Sequence, residues 1–491
     1  MSGTSINRWP SHDLARALER NPGADLVVGM FSGPDGVHGG RGSAVVGDVL
    51  GAELGAIAAA SPDFDGRRAA RCTAVLTGPA GPVRVVLVGL GRRVDTAYDL
   101  FEAAVASGNA RAVVSTLALE AEGALDAVAQ GHAIGAWRYQ RDPHAPATPV
   151  AVEVVDDSQP DSDSILARAA TVARATGWVR QLVEMPPNSL RPNDFASAIA
   201  EFADELAPGS VVVETWDEAA LGQRGFGGTL GVGAGSVEAP LVVALHIAGD
   251  GPLTALAGKG ITFDSGGVNL KRNLGELSWM KSDMAAAASV AAAVIAAARL
   301  GVPGPVTALL PIAENMPSGS ALRPGDVVSH PGGRTTEVLD TDSEGRVVLA
   351  DALSWLAALN PSRLIDVGTL TDSGGVGSAF WGCWGTSDEL ARAVVDAGRR
   401  AFDRGWALPL HDSYVSLLSS RVADIANAPT AVPDSGQLAA TYLRTFVDDV
   451  PWVHIDNGSS AWLEGEAHPW PAGATGTPVR ALIELLTSPT F

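Results

Sequence analysis

Lysine occurs at three positions in 491 residues, Lys259, Lys271 and Lys281, and every other basic side chain of the 34 is arginine. A guanidinium stays protonated in any ordinary site, whereas a lysine amine can lose its proton and offer a lone pair. A chain that otherwise uses arginine for positive charge keeps lysine where a guanidinium would not serve. The same window holds Asp264 and Asp283, and the run Asp340-Thr341-Asp342-Ser343-Glu344 follows downstream. Divalent cations that assist hydrolysis take carboxylate oxygens readily, and a pair of ions needs carboxylates that bridge them. Asp264, Asp283, Asp342 and Glu344, with Lys259 as a nitrogen ligand, are enough for two ions and leave room for a bridging hydroxide. Two dications beside Lys259 would disfavour its ammonium form. Arg346 stands at the start of an Ala/Leu-rich run of helical character, where free N–H donors and the helix dipole favour an anion the size of a carboxylate or bicarbonate.

Each cluster alone says less. Acidic residues near glycine usually form a solvated turn, and the spacing after Asp340 does not continue as a calcium-binding loop. The two clusters gain weight by coinciding with the confinement of lysine. Lys281 is the weakest member, readable equally as surface charge or as lining of a substrate entrance.

These residues need a scaffold, and the hydrophobic pattern supplies one. Short apolar runs at 210–214, 241–247, 254–258, 306–310 and 363–368 predict strands. Helical periodicity covers 194–206, 285–300, 346–359 and 387–404. Such alternation predicts an α/β domain with a mainly parallel sheet flanked by helices, whose ligands bind beyond the carboxyl ends of the strands. Lys259, Asp264 and Thr369-Leu370-Thr371 all follow predicted strands. Upstream, a strand over 83–90 and a helix over 96–113 predict a smaller α/β domain. The expected division is an N-terminal α/β domain over 1–160, a connecting helix over 161–185 halted by Pro186-Pro187, and a catalytic domain over 186–491. Pro/Asp/Ser-rich stretches at 141–147 and 156–163 mark the domain edge. The glycine-rich stretch 222–235 lacks a phosphate-binding lysine and a dinucleotide fingerprint, and reads as turns.

Composition narrows the functions open to the chain. A net charge of -21 excludes a general binder of nucleic acid or anionic membrane. Residues 1–160 do not reverse this, with 13 arginines and no lysine against 18 acids. Two cysteines, Cys72 and Cys383, make no disulfide framework, and the first residues lack an apolar signal core, so a cytoplasmic location is expected. The longest apolar run, 285–300, is alanine-rich and short for a bilayer.

The two clusters resemble the leucyl aminopeptidase family of two-metal exopeptidases. The likeness is close in Gly258-Lys259-Gly260-Ile261-Thr262-Phe263-Asp264-Ser265-Gly266-Gly267, in Met280-Lys281-Ser282-Asp283, and in Asp340-Thr341-Asp342-Ser343-Glu344-Gly345-Arg346. It extends through Glu314-Asn315-Met316-Pro317, Arg323-Pro324-Gly325-Asp326, Asp366-Val367-Gly368-Thr369-Leu370-Thr371 and Trp452-Val453-His454-Ile455-Asp456. It covers residue 180 onward, and the N-terminal third matches only in general shape. The resemblance implies a hydrolase that removes N-terminal residues from peptides, a metalloprotease built as a homohexamer, with Mn²⁺ or Zn²⁺ as the ions. It implies that Asp264 and Glu344 bridge both metals, that Lys259 and Asp283 complete one site, and that Asp342 completes the other. Lys271 would stabilise the tetrahedral oxyanion, and Arg346 would hold a bicarbonate serving as general base. The substrate's free α-amine would bind one metal, and Met280, Thr369 and Leu370 would line the pocket for the first side chain.

Departures from the pattern matter as well. The family's Asn-Thr-Asp-Ala-Glu is Asp340-Thr341-Asp342-Ser343-Glu344 here, and its Thr-Leu-Thr-Gly-Ala is Thr369-Leu370-Thr371-Asp372-Ser373. The Asp372 carboxylate near the pocket motivates an alternative, a specialised aminopeptidase that trims one residue from a ribosomal peptide natural product precursor of the bottromycin type. Some members of the family bind DNA as accessory or regulatory proteins, a reading that the acidic N-terminal domain opposes.

Overall fold

The computed structural model describes residues 4–108, 110–142, 150–157, 161–467 and 469–489. Residues 143–149 and 158–160, which make up much of the two stretches expected at the domain edge, lie outside the described residues. The chain divides into two compact units, Met1–Gly177 with Glu466–Pro471, and Trp178–Gly465 with Ala472–Phe491. The long helix Ser162–Glu184 spans the point of division.

The N-terminal unit is a mixed seven-stranded sheet with helices. Its strands run in the order Thr4–Trp9, Val150–Val155, Ala112–Ser115, Asp25–Gly33, Gly81–Gly89 and Arg71–Gly78, with Gly36–Gly39 beside Asp25–Gly33. The strand expected at 83–90 is present as Gly81–Gly89. The helix expected over 96–113 stops at Ala106, and Ala112–Ser115 is a strand. Gly108 takes φ +122°, which breaks the helix, and Val113 and Val114 then enter the sheet where β-branched side chains pack well.

In the second unit, β1 (Leu241–Ile247), β2 (Thr254–Gly258) and β3 (Gly260–Asp264) precede a buried helix, α1 (Ala285–Leu300). Then follow β4 (Val306–Asn315), α2 (Glu344–Ala357), β5 (Arg363–Gly368) and β6 (Trp452–Asp456). The sheet order is Gly405–Ala407, Trp381–Gly385, β6, β5, β2, β4, β1, Val212–Trp216, with β3 paired to β4. Pairs β2–β4, β2–β5, β5–β6 and β3–β4 are parallel, so their carboxyl ends lie together. β4 runs through Pro311 to Asn315, past its expected end, because Pro311 lies opposite the break at Lys259 between β2 and β3. A proline is tolerated where the ladder is already interrupted.

α1 shows why the alanine run is there. Residues from Ala285 to Ala297 are all buried, and the Ala287 N–H donates to the Lys259 carbonyl at 2.9 Å. A methyl on Gly258 would lie 2.7 Å from the Ala287 Cα, so both glycine and alanine are needed for the helix to approach the strand end this closely. The most apolar window of this region is 83% buried inside the protein, as a core helix requires.

The glycine-rich stretch 222–235 is largely helical, which corrects its reading as turns: Glu218–Arg224 is followed by Gly227–Gly233. The Asp351 carboxylate on α2 accepts from the Gly228 and Thr229 N–H groups at 3.3 and 2.7 Å and from Thr229 Oγ1 at 2.9 Å, capping the second helix from outside its own sequence. A methyl on Gly228 would lie 2.6 Å from the Val347 carbonyl oxygen, so these glycines permit helix contact rather than turning the chain.

Candidate metal centre

β2 ends at Gly258, and Lys259 follows with its N–H bonded to the Val367 carbonyl of β5 at 3.0 Å. Its side chain crosses to the start of α2. The amine donates to the Thr369 carbonyl at 2.9 Å and lies 2.8 Å from both Asp283 Oδ2 and Glu344 Oε1. A methyl on Gly345 would sit 2.5 Å from Lys259 Nζ, so the glycine leaves the channel through which the lysine passes.

Asp264 closes β3. Its Oδ1 accepts from the Gly266 N–H at 2.9 Å and from Asn315 Nδ2, at the end of β4, at 2.8 Å. Gly266 and Gly267 turn the chain with φ +89° and +66°, and a methyl on Gly266 would lie 2.7 Å from Asp342 Oδ1. That turn brings back Lys271, whose amine lies 2.9 Å from Asp264 Oδ2 and 2.6 Å from Asp342 Oδ1. Thr341 fastens the second acidic run to this loop, donating to the Gly266 carbonyl at 2.8 Å and accepting from the Asn269 N–H at 2.9 Å. Asn427 holds the other side by donating to the Asp340 and Ser343 carbonyls at 2.6 and 3.2 Å. The Asp340 side chain accepts from the Asp342 N–H at 3.0 Å, folding the turn that presents Asp342.

Asp264, Asp342 and Glu344 thus bring carboxylate oxygens within 4.8 Å of one another, and Asp283 adjoins them through Lys259. Lys259, Asp264, Asp283 and Glu344 are each at most 5% exposed. Although the lysines are close, Asp283 Oδ2, Asp342 Oδ1 and both Glu344 oxygens have no aligned hydrogen bond. Four buried or half-buried carboxylates shared between two amines leave an excess of negative charge at one point, which suits a cation. The donor set of carboxylate oxygens and one amine fits Mn²⁺ or Zn²⁺. Burial, followed by the negative charge of Asp264, pushes the Asp342 carboxyl up to about 7. Burial also raises Asp283 well above the usual carboxylate range, and it raises Glu344. For Lys259, burial favours the neutral amine, but the pull of Asp283, Glu344 and Asp264 prevails and holds the amine above its ordinary range. Divalent cations reverse both tendencies, favouring charged carboxylates and a neutral lysine.

Thr369, from the proposed pocket, donates through Oγ1 to Asp283 Oδ1 at 2.7 Å, so it also orients that acid. Met280 is buried, Leu370 half-buried and Asp372 exposed. Lys281 stays outside the cluster: it donates to the Glu184 carbonyl at 2.7 Å and rests 4.9 Å from the Trp462 ring centre. Arg346 donates from both terminal nitrogens to the Asp434 carboxylate, at 3.2 and 2.6 Å. Sequence reasoning missed Asp434, Asn427 and the orienting role of Asn315. Asn315 did fall within a quoted motif, whereas Asp434 and Asn427 lie in a loop with no pattern of its own.

Residues 177–483 match the catalytic domain of the cytosol aminopeptidase family. The chain belongs to this family. It is 39% identical to a probable cytosol aminopeptidase of Micrococcus luteus, over 96% of this chain and 97% of the relative. A probable cytosol aminopeptidase of Rhodococcus jostii is 37% identical over 94% of each chain. Among solved structures, the bottromycin maturation enzyme BotP in complex with Mn is similar, with a TM-score of 0.81 and 35% identity over 94% of this chain and 99% of that one. Membership makes the protein a metal-dependent aminopeptidase, a hydrolase acting on peptides, as the resemblance implied.

Proposed function

We propose that the chain releases single N-terminal residues from peptides with two divalent ions held by Lys259, Asp264, Asp283, Asp342 and Glu344. The observation that carries this assignment is the convergence of four carboxylates, Asp264, Asp283, Asp342 and Glu344, on the Lys259 and Lys271 amines at the carboxyl ends of parallel strands. Asp264 and Glu344 would be shared by both ions, Lys259 and Asp283 would complete the ligands of one, and Asp342 those of the other. The ions, when bound, supply Lewis acidity to the scissile carbonyl and to an attacking water. Lys271 places a fixed positive charge where the carbonyl oxygen becomes negative, an interaction stronger in the transition state than in the ground state. Met280, Thr369 and Leu370 receive the first side chain, with Asp372 at the rim. The cytosolic naming of the relatives supports a cytoplasmic location, and the family resemblance implies assembly as a homohexamer.

The purified protein is expected to hydrolyse an unblocked aminoacyl anilide, lose that activity to a chelator and regain it with Mn²⁺ or Zn²⁺. Absence of turnover by metal-loaded protein across a broad panel of free-amine peptides would overturn the reading. Lys271→Ala is expected to slow turnover about 10²–10³-fold while both ions remain, as measured by metal analysis of the variant.

The likeness to BotP and the exposed Asp372 favour a second reading, trimming of one residue from a particular precursor peptide. Broad, efficient cleavage of unrelated peptides would argue against that specialisation.

A further inference from the structure

Of the three lysines, Lys281 alone lies apart from the acidic cluster, yet it stands two residues before Asp283. Met280, Lys281 and Ser282 form a single 3-10 turn, closed by the Asp283 N–H on the Met280 carbonyl at 3.3 Å. Beyond the turn, Thr369 Oγ1 reaches the Asp283 carbonyl at 3.2 Å and its Oδ1 at 2.7 Å. On the other side Lys281 is the anchor. Its amine donates to the Glu184 carbonyl at 2.7 Å, lies 3.6 Å from Glu184 Oε2 and rests 4.9 Å from the Trp462 ring centre. Glu184 ends the helix Ser162–Glu184, so its carbonyl has no partner within the helix. Pro186 and Pro187 follow and carry no N–H, and the lysine caps this end from a distant part of the chain. The helix dipole favours a positive charge at that end. Glu184 is itself fixed: its Oε1 accepts from the Ala474 N–H at 3.0 Å, and a methyl on Gly473 would collide with that oxygen. The amine thus joins the turn before Asp283 to a helix end and to the ribbon in which Trp462–Leu463 pairs with Gly473–Ala474, all within the catalytic unit.

We infer that Lys281 is a positioning residue for Asp283, and through it for one of the two ions. The inference rests on the two-metal reading above, in which Asp283 and Lys259 complete the ligands of that ion. The remaining acids, Asp264, Asp342 and Glu344, sit at the end of β3, on the second acidic run and at the start of α2, and none is on the Met280–Ser282 turn. Freeing the turn therefore loosens the ion at Lys259 and Asp283 and spares the other. Asp283 keeps its bond to Thr369, so what is lost is its aim. A compact ammonium suits the task, because its donors meet a carbonyl and a carboxylate while its charge lies over a ring face.

The test titrates metal-stripped wild type, Lys281→Met and Lys281→Arg with Mn²⁺ alone, counting the free ions and recording the electron paramagnetic resonance of the bound ones. Wild type should bind two ions and give the spectrum of a coupled pair. Lys281→Met keeps much of the side chain's length and loses its donors and charge. It should hold one ion as tightly as wild type and the other about 10–100-fold more weakly, the range for groups that orient ligands. At an Mn²⁺ concentration that just saturates wild type, its spectrum should be that of an isolated ion. Lys281→Arg restores the charge and the N–H donors and should bring the coupled pair back. Metal-free Lys281→Met should melt close to metal-free wild type. Should it fail to fold, Glu184→Gln, which keeps the carbonyl and the bond to Ala474, takes its place and should weaken the same single ion. Wild-type affinity for both ions in the tested variant, equal weakening of both, or no recovery with arginine would each overturn the inference. Wild type that binds fewer than two Mn²⁺ would overturn the two-metal reading itself, and the inference with it.

Discussion

In the N-terminal unit, Glu153 is buried, but both its oxygens accept hydrogen bonds, from Asn7 Nδ2 at 3.0 Å and Trp9 Nε1 at 2.7 Å. Asp25 there is likewise paired with the Arg84 guanidinium, and His132 lies between Ser107 and Ser115. In the catalytic unit, Asp264, Asp283, Asp342 and Glu344 are packed together and share only two positive partners, the Lys259 and Lys271 amines. That unit can also satisfy buried acids: Asp366 accepts from Trp452 Nε1 and His454 Nδ1, each at 2.6 Å. The difference teaches that burial alone does not mark a functional acid. A carboxylate with its own partners braces the scaffold, whereas four acids sharing two amines at one point keep an excess of negative charge that suits a cation, and the protein carries their mutual repulsion to keep the site.

The comparison can be broken most directly at Glu344. Glu344→Gln should remove metal binding and lower turnover by at least about 10³-fold, because metal-generated nucleophiles depend on the full ligand set. The same variant, metal-free, should melt no lower than the metal-free wild type, since one repelling charge has gone; a clearly lower melting temperature would place Glu344 among the bracing acids. A smaller effect is expected from Gly345→Ala, whose methyl meets the Lys259 amine. Metal affinity, read by competition with a chelating dye, should fall about 10–100-fold, the usual range for groups that orient ligands. Unchanged affinity would mean that Lys259 has freedom to move.

The smallest effect sharpens the other half of the comparison. Burial pushes the His132 imidazole down to about 3, so the folded unit keeps it neutral, while the unfolded chain takes up a proton near the ordinary 6.5. Between those values the unfolded state binds more protons, so this contribution to stability is present above about pH 6.5 and is lost as pH falls towards 3. One such proton is worth at most about 1.4 kcal/mol per pH unit. Melting curves of wild type and His132→Gln, followed by a probe in the N-terminal unit, should therefore differ most near neutral pH and converge on acidification. Curves that stay parallel from pH 7 to 4 would show that the imidazole is not held neutral.

Much of the architecture was legible because local pattern and burial agree. The spans 241–247, 254–258, 285–300 and 363–368 coincide with the observed elements to the residue. The agreement fails where tertiary contact overrides local preference: at Gly227–Gly233, whose cap comes from Asp351, and at Pro311, which continues a strand opposite a break. The ligand-type residues were visible because lysine is confined and acids cluster, both properties of linear order.

What the sequence determined by itself is the inventory: which residues can bind a cation, which strands carry them, and through Lys259 and Lys271 where a special amine is needed. Only the folded chain decided how those groups are paired. Arg346 and Asp434 are 88 residues apart, and Asn427 reaches back to Asp340 across 87. Neither pairing leaves a trace in spacing, because each depends on where a loop returns after the sheet has closed, and a hydrogen bond is set by distance in space.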